Sequence, residues 1–451
     1  MDGQGPERVA GKKRWATRSR LKCPWAIHRI AGWLAVVSFS GVAIACNSTS
    51  SPVAENTGSL AGETVTILGT LTGNGEDKLM AAIAPFTEAT GIAVTYEGTD
   101  AFTTLISVRV DSGDAPDIAL FPQPGLMLNF AEQGDLVPVA RSPLESAYDA
   151  YWLDLASVDG DLYGVWMRAD VKSLVWYNPS AFEAAGYTVP TTWAELDALS
   201  QQMITNGHTP WCLGMESGAA TGWVGTDWVE EILLRQAGPA VYDDWVNHDI
   251  PFDHPAVVTA LNAFGEIVRD PKQVRGGPTG AMSIPFGDAP APLFSEPPGC
   301  YLHRQASFIS DFLPADLVPE TTVDVFALPP MQPDQGIPVL VGGIVYAQFN
   351  DTPAATALME YLATVEAHTL WANEGYISPH AEVSLDAYPN PLVRNSAAVL
   401  KSADLIRFDG SDLMPGAVGT GTFWTGIVDY VGGTDAAAVL NEIEASWPEA
   451  E

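Results

Sequence analysis

Apolar residues recur in two alternating patterns from residue 64 onwards. The run 64–68 is short and rich in β-formers, which predicts a strand that ends at Gly69. Leu79, Ile83 and Phe86 then recur at helical spacing. The same alternation predicts strands over 92–96, 117–121, 323–328 and 339–348, and helices that begin at Thr99, at the capping box Thr192…Glu195 and at Thr352-Pro353. Strands separated by helices in this way predict an α/β fold with a parallel sheet.

The loops after the first three strands are the first candidates for a binding site. In an open parallel sheet, ligands bind beyond the carboxyl ends of the strands. Three loops follow these strands. The loop 69–75 offers the side chain of Thr70, the loop 97–100 that of Asp100 and the loop 121–125 that of Gln123. We therefore treat these three side chains as candidate ligand contacts.

Length and charge narrow the classes of function. The chain has 451 residues, of which 47% are hydrophobic and 17% are charged. That length predicts two or three domains, and that apolar content excludes disorder as the main state. The 55 acidic residues outnumber the 21 basic ones, which gives a net charge of −34. Such a chain is unsuited to nucleic acid, because it repels the phosphates that it would have to neutralise.

The first 45 residues differ from the rest in charge. They carry eight basic and two acidic residues, whereas 46–451 carries 13 basic and 53 acidic ones. Residues 30–45 are uncharged but shorter than the ~20 residues of a membrane-spanning helix, which predicts that 1–45 is a secretory signal peptide. Val-Ala-Ile-Ala directly before Cys46 resembles the lipobox of bacterial lipoproteins, which implies that Cys46 is lipidated. An ordinary signal peptide or an uncleaved anchor is the alternative.

Residues 46–60 are rich in Ser, Thr, Asn, Gly and Pro, a composition typical of a flexible tether. We therefore expect an extracytoplasmic body, lipid-anchored to the outer face of the bacterial cell membrane. In that oxidising compartment we expect a disulfide between Cys212 and Cys300. Two buried free thiols are the alternative.

Motifs of soluble enzymes and metal sites are missing from the sequence. It contains no G-x-S-x-G, H-E-x-x-H or G-x-x-x-x-G-K-[ST], and no G-x-G-x-x-G after a predicted strand. The six His residues beyond residue 60 are scattered, which favours core or surface roles over metal binding. We expect no catalytic residue, no metal and no cofactor.

A succession of short motifs covers residues 62–447. They are 94–100 (VTYEGTD), 111–118 (DSGDAPDI), 131–138 (AEQGDLVP), 162–165 (LYGV), 174–179 (LVWYNP), 211–214 (WCLG), 225–230 (GTDWVE), 299–305 (GCYLHRQ), 341–343 (VGG), 414–415 (MP) and 423–424 (FW). In this order they resemble the extracellular solute-binding proteins of bacterial ABC importers, in the carbohydrate-binding group that includes the maltodextrin-binding proteins. The stretches at 211–230 and 299–305 resemble its α-glucoside-binding branch.

That resemblance implies a bilobal body whose lobes close around a sugar without altering it. It implies two α/β lobes joined by hinge crossovers, with lobe 1 formed by 61–168 and 325–376 and lobe 2 by 171–318 and 380–447. The implied partners are an α-glucoside or similar oligosaccharide, ABC permease subunits and a cytoplasmic ATPase. We expect the protein itself to be a monomer.

A hexose offers an apolar C–H face and a rim of hydroxyls, so its recognition needs flat aromatic surface and fixed hydrogen-bonding groups. By the resemblance, Trp424 matches a Trp that stacks on a sugar ring, and Asp170 and Lys172 lie near a sugar-contacting acid. The further candidates are Trp176, Trp223, Thr226, Asp227, Gln305, Gly343, Trp371 and Glu374. Core packing is the alternative for each Trp, and Thr226 and Asp227 can instead cap a helix.

Three other functions remain open at this point. A secreted glycoside hydrolase also uses paired carboxylates and Trp residues. A binder of a polyamine or a metal would suit the acidic body, and a polyamine would bind with strong salt dependence. A purely structural surface lipoprotein would bind no small ligand.

Overall fold

The computed structural model describes residues 60–332 and 336–448. The predicted signal peptide, Cys46 and the tether up to residue 59 lie outside these residues. The strands are β1 Thr64–Gly69, β2 Ala93–Gly98, β3 Ile118–Phe121, β4 Ser157–Val158, β5 Asp161–Leu162, β6 Gly164–Val171, β7 Leu174–Tyr177, β8 His303–Arg304, β9 Asp324–Ala327, β10 Pro338–Gln348 and β11 Leu405–Phe408.

The described part of the chain also contains α-helices. They are α1 Asn74–Thr90, α2 Phe102–Asp111, α3 Pro124–Gln133, α4 Ala150–Asp154, α5 Pro179–Ala185, α6 Trp193–Thr205, α7 Trp223–Ala237, α8 Pro239–Val246, α9 Pro255–Val268, α10 Gly277–Ser283, α11 Pro353–Leu362, α12 Val365–Asn373, α13 Pro391–Lys401, α14 Gly410–Leu413, α15 Trp424–Gly432 and α16 Ala436–Ala445. The capping box of Thr192 and Glu195 forms at the start of α6, as the sequence predicted. Among the described residues, no helix combines the length and the apolar character needed to cross a bilayer.

The main sheet has the strand order β11-β10-β3-β1-β2, with β6 also paired to β10. β1 pairs in parallel with both β2 and β3, which agrees with the parallel sheet that the sequence predicted. β10 runs antiparallel to β3 and β6 and parallel to β11, and all 11 of its residues are buried. This long strand therefore forms the centre of the sheet.

Two hydrophobic cores divide the body into two lobes. The first core is formed mainly by residues from 65 to 176 and from 339 to 408, and the second mainly by residues from 175 to 302 and from 414 to 443. Cys212, Leu293, Cys300 and Val323 also pack in the first core, and Leu328 and Leu340 in the second. The segment 383–408, which we had expected in lobe 2, packs in the first core through Leu392, Ala397 and Phe408. The physical reason is that β11 pairs with β10 and so brings α13 to the main sheet. Ile309, also expected in lobe 2, is buried in the first core as well.

Three connections join the lobes, and the first is the two-residue link between β6 and β7. Lys172 donates a hydrogen bond from Nζ to Asp227 Oδ1 over 3.0 Å. Ser173 donates from Oγ to Glu231 Oε1 over 2.8 Å. The Ser173 Oγ in turn accepts the backbone N–H of Leu340 at 2.8 Å. Asp227 and Glu231 belong to α7, so this helix holds the first connection by two carboxylates.

The same helix holds the other two connections. Arg235 Nη2 donates to the backbone carbonyls of Leu328, at 3.0 Å, and Pro338, at 2.9 Å, which lie at the two ends of the link between β9 and β10. Glu230 accepts the backbone N–H of Gly410 at 2.8 Å, just after β11. The residues of α7 from Val224 to Arg235 are all buried. A helix inside lobe 2 therefore fixes all three links through charged side chains.

Cys212 and Cys300 are joined by a disulfide, with Cα atoms 5.5 Å apart and a separation of 88 positions in sequence. The backbone N–H of Cys212 also donates to Leu302 O over 2.8 Å. In the chain-entropy model, closing a loop of this length stabilises the fold by about 4 kcal/mol.

The variant Arg235→Met tests how much of the stability depends on α7. It removes one buried cation from Glu231, which keeps Ser173 and Arg304, and it leaves the connection carbonyls of Leu328, Pro329 and Pro338 without their buried donor. We therefore expect the free energy of unfolding to fall by about 3–5 kcal/mol. Urea denaturation followed by circular dichroism measures this change. The control is Arg141→Met, since Arg141 pairs at the surface with Asp154 and should cost no more than about 1 kcal/mol. Equal losses in the two variants would contradict the role given to α7.

Candidate ligand-binding site

A cavity of about 480 Å³ lies between the two lobes, a size within the usual range for small-molecule sites. Both lobes contribute to its wall. The lining residues include Thr70, Asp100, Gln123, Arg168, Asp170, Lys172, Trp223, Phe286, Asp288, Phe308, Asp311, Phe312, Gly343, Tyr376, Asp409, Asp412 and Trp424.

The loops after β1, β2 and β3 form one side of the cavity. Thr70, Asp100 and Gln123 each follow one of these strands, so the carboxyl ends of the parallel strands bring them together. The loop after β1 is held by Tyr96, whose hydroxyl accepts the N–H of Leu71 at 2.8 Å and donates to Leu71 O at 3.0 Å. The Tyr96 side chain therefore fixes the backbone at this rim of the cavity.

A cluster of charged and aromatic side chains forms the next part of the wall. Arg168 Nε donates to Asp170 Oδ2 over 3.1 Å, and its guanidinium lies 4.6 Å from the ring centre of Tyr376. The Tyr376 hydroxyl donates to Asp311 Oδ2 over 2.7 Å, and Lys78 Nζ lies 2.5 Å from Asp311 Oδ1. Burial raises the pKa of Asp170, and Arg168 opposes that rise. Each charge of this cluster has a partner of opposite sign.

The inner end of the cavity is a buried ionic cluster around Lys172. Besides Asp227, its ammonium group donates to Asp409 and lies 3.9 Å from Asp412 Oδ2. Burial by itself lowers the pKa of Lys172, but Asp227 and Asp409 outweigh it and hold that pKa well above its usual range. Burial, helped by the neighbouring Asp409, raises the pKa of Asp412 well above its usual range. Lys172 therefore touches both the cavity and the hinge.

Aromatic rings form the opposite side of the cavity. Trp223 begins α7, and its ring centre lies 5.3 Å from that of Phe286 and 5.9 Å from that of Phe308. Trp424 begins α15 directly after a π-helical turn at Val418–Phe423. Gly222, which precedes Trp223, lies so close to the Trp424 carbonyl that a Cβ would overlap it. This backbone contact places the two Trp residues in one wall.

The structure brings eight of the predicted residues to the cavity. They are Thr70, Asp100, Gln123, Asp170, Lys172, Trp223, Gly343 and Trp424. The absence of a side chain at Gly343 has a structural reason, since a Cβ there would lie 2.5 Å from Arg168 O on the paired strand.

Six predicted residues do not line the cavity, and three of these lie near the hinge. The indole N–H of Trp176 donates to Gln305 O over 2.8 Å, and both residues are buried beside the small sheet of β7, β8 and β9. Asp227 faces away from the cavity, because Lys172 and Arg304 both bind its carboxylate. These residues hold the two lobes together.

The other three lie within or at the end of helices. The Thr226 hydroxyl donates to Trp223 O over 2.8 Å and is buried in α7. Trp371 is buried in the first core with its ring 5.2 Å from that of Tyr376, so it supports the wall from behind. Glu374 is exposed at the carboxyl end of α12.

The sequence patterns did not predict several residues that line the cavity. The main ones are Arg168, Phe286, Asp311, Tyr376, Asp409 and Asp412. Arg168 lies two residues before Asp170 on β6, so alternation along the strand was a signal for it. No local signal marks Phe286 or Asp311, because long loops bring them to the cavity. Among the described residues, no group of three or more His, Cys, Asp or Glu is arranged to hold a metal ion.

Comparison with known proteins identifies the family. Residues 72–369 match the model of the bacterial extracellular solute-binding proteins. The chain is 58% identical over 389 residues to the osmoprotective compounds-binding protein GgtB of Synechocystis sp., across 85% of this chain and 92% of that one. It is 42% identical over 401 residues to the α-glucosides-binding periplasmic protein AglE of Rhizobium meliloti, across 86% and 88% of the two chains.

Solved structures agree with this result at the level of the fold. The bacterial solute receptor AcbH superposes with a TM-score of 0.75 at 19% identity, over 85% of this chain and 98% of that one. The bilobal α/β fold and the family that the motifs predicted are thus confirmed. Since these proteins bind substrates for ABC transporters and are not enzymes, the hydrolase alternative is wrong. The chain belongs to the bacterial extracellular solute-binding proteins.

Proposed function

We propose that the protein captures a small neutral α-glucoside by closure of its two lobes and delivers it to the permease subunits of an ABC sugar importer. The observation that carries the proposal is the composition of the cavity between the lobes. Trp223, Phe286 and Trp424 offer flat apolar surface, while Gln123 and Asp412 offer hydrogen-bonding groups. A sugar ring needs both kinds of surface at once.

The names of the two relatives support the same ligand class. One is described as binding osmoprotective compounds and the other as binding α-glucosides. A small neutral α-glucoside satisfies both descriptions, and a cavity of about 480 Å³ suits a ligand of that size. We further propose that a cytoplasmic ATPase powers the importer and that the binding protein is an extracytoplasmic monomer, anchored through lipidated Cys46.

A polyamine is the second candidate, since Asp100 and Asp288 also line the cavity. The structure gives it less support, because cations of the protein already pair with Asp170, Asp311 and Asp409.

A thermal-shift panel tests the proposal directly. Trehalose, sucrose, maltose and spermidine are each added at low and at high salt. A ligand of the folded state raises the melting temperature by mass action, and we expect at least one of the disaccharides to do so equally at both salt concentrations. The bound sugar should be recovered intact by chromatography. A shift with spermidine alone, abolished by salt, would contradict the proposal, and so would released glucose.

Trp223 should contribute much of the affinity. In Trp223→Ala the sugar loses an aromatic surface worth about 1–3 kcal/mol, so the Kd should rise about 5- to 150-fold. Isothermal titration calorimetry with the disaccharide that gives the largest thermal shift measures this change. Trp193→Ala is the control, since Trp193 also packs on the second core but does not line the cavity. A similar loss in both variants would contradict a direct contact with Trp223.

A further inference from the structure

Two buried polar atoms on the wall of the cavity have no hydrogen-bond partner within the described part of the chain. They are Oε1 of Gln123 and the indole Nε1 of Trp424. Gln123 is 8% exposed and Trp424 is 4% exposed. Buried polar groups in native proteins are nearly always hydrogen-bonded, and leaving one without a partner costs about 1–3 kcal/mol. Because both side chains face the cavity, a bound molecule is the natural source of the missing partners.

The charged groups beside these two atoms are already occupied. Lys172 donates to Asp227 and Asp409, and Arg168 donates to Asp170. Burial raises the pKa of the nearby Asp412 carboxyl, which lies 3.9 Å from Lys172 Nζ. Of the side chains that line the cavity, Gln123 and Trp424 are those with a buried polar atom left without a partner in the described residues.

The backbone around both residues holds them in place. Gln123 immediately precedes α3, and a Cβ on Gly125 would lie 2.6 Å from the carbonyl oxygen of Leu413, so the start of α3 rests on the chain just after α14. Trp424 is held from the other side by Gly222.

We propose that Gln123 Oε1 and Trp424 Nε1 form a subsite for an unmodified hydroxyl-bearing end of the ligand. A ligand hydroxyl donates to Gln123 Oε1, and a ligand oxygen accepts the N–H of Trp424. This inference rests on the proposed function and deepens it, because it specifies the chemistry of the end that enters first. Trp424 then acts through the edge of its indole as well as through its face.

The subsite has a consequence for selectivity. An end that bears a phosphate or a carboxylate finds no unpaired cation here, because Arg168 and Lys172 are already paired with carboxylates. An end without hydroxyls leaves both protein atoms unpaired in the complex, which is the usual basis of strong rejection. A neutral polyhydroxyl end satisfies both atoms.

Two variants that preserve shape test the subsite. Gln123→Leu removes the acceptor at nearly constant volume, and Trp424→Phe removes the N–H but keeps an aromatic ring. Trehalose, sucrose and maltose are titrated into each variant by calorimetry, after circular dichroism melting has checked the fold. We expect the Kd of the sugars that bind the wild type to rise about tenfold or more in both variants. The control, Trp193→Phe, should bind them within twofold of the wild type.

Nuclear magnetic resonance of protein with ¹⁵N-labelled Trp gives a second readout. The indole N–H signal of Trp424 is assigned by its loss in Trp424→Phe, and we expect it to move downfield when the wild type is saturated with a sugar. If sugars bind but both variants keep their affinity within twofold and the signal does not move, the subsite is wrong while the proposed function stands. An equal loss in Trp193→Phe likewise rejects the subsite. If no sugar binds the wild type, the proposed function fails and the subsite fails with it.

Discussion

Buried charge on helix α7 is the constraint on which the two-lobed arrangement depends. Glu230, Glu231 and Arg235 have no exposed surface, and taking such groups out of water costs several kcal/mol each unless partners replace the water. Their partners are the three connections between the lobes, one through Ser173, one through Leu328 and Pro338, and one through Gly410. The connections therefore have defined anchor points on this helix.

The same helix also reaches the binding cavity. Its first residue is Trp223, and Asp227, one turn further along, holds the Lys172 side chain that lines the inner end. A displacement of Lys172 by a ligand would disturb Asp227 and Asp409, both of which belong to the hinge. The ligand site and the hinge thus share an ionic cluster. Because the cluster satisfies its own charges, what remains for the ligand is aromatic surface and neutral hydrogen-bonding groups, which is the chemistry of a sugar site.

The sequence predicted best those features that depend on local pattern. The loops after β1, β2 and β3 were found from alternation alone, and Thr70, Asp100 and Gln123 all line the cavity. The ends of the predicted strands indicate the position of the site, because parallel pairing brings their carboxyl ends to one edge of the sheet. The family was also recognisable, since its motifs occur in order along nearly the whole body.

Features that depend on distant pairing were not predictable in the same way. Helix α7 is buried all round, so it has no amphipathic face from which to infer that Asp227 points to the hinge and away from the cavity. Asp311 reaches the cavity through a long segment after β8, and its partners Lys78 and Tyr376 are 233 and 65 residues away. The lobe boundary near residue 380 was wrong because the pairing of β11 with β10 is likewise long-range.

Small-angle X-ray scattering tests the central claim most directly, namely that the lobes close on a neutral sugar about a hinge held by α7. The radius of gyration of the wild-type protein is measured alone and at saturation with the disaccharide that stabilises it most. A ligand held between lobes should make the particle more compact, and the radius should return to its starting value after the sugar is removed by dialysis. A radius that stays unchanged while calorimetry shows the sugar to be bound would contradict the account.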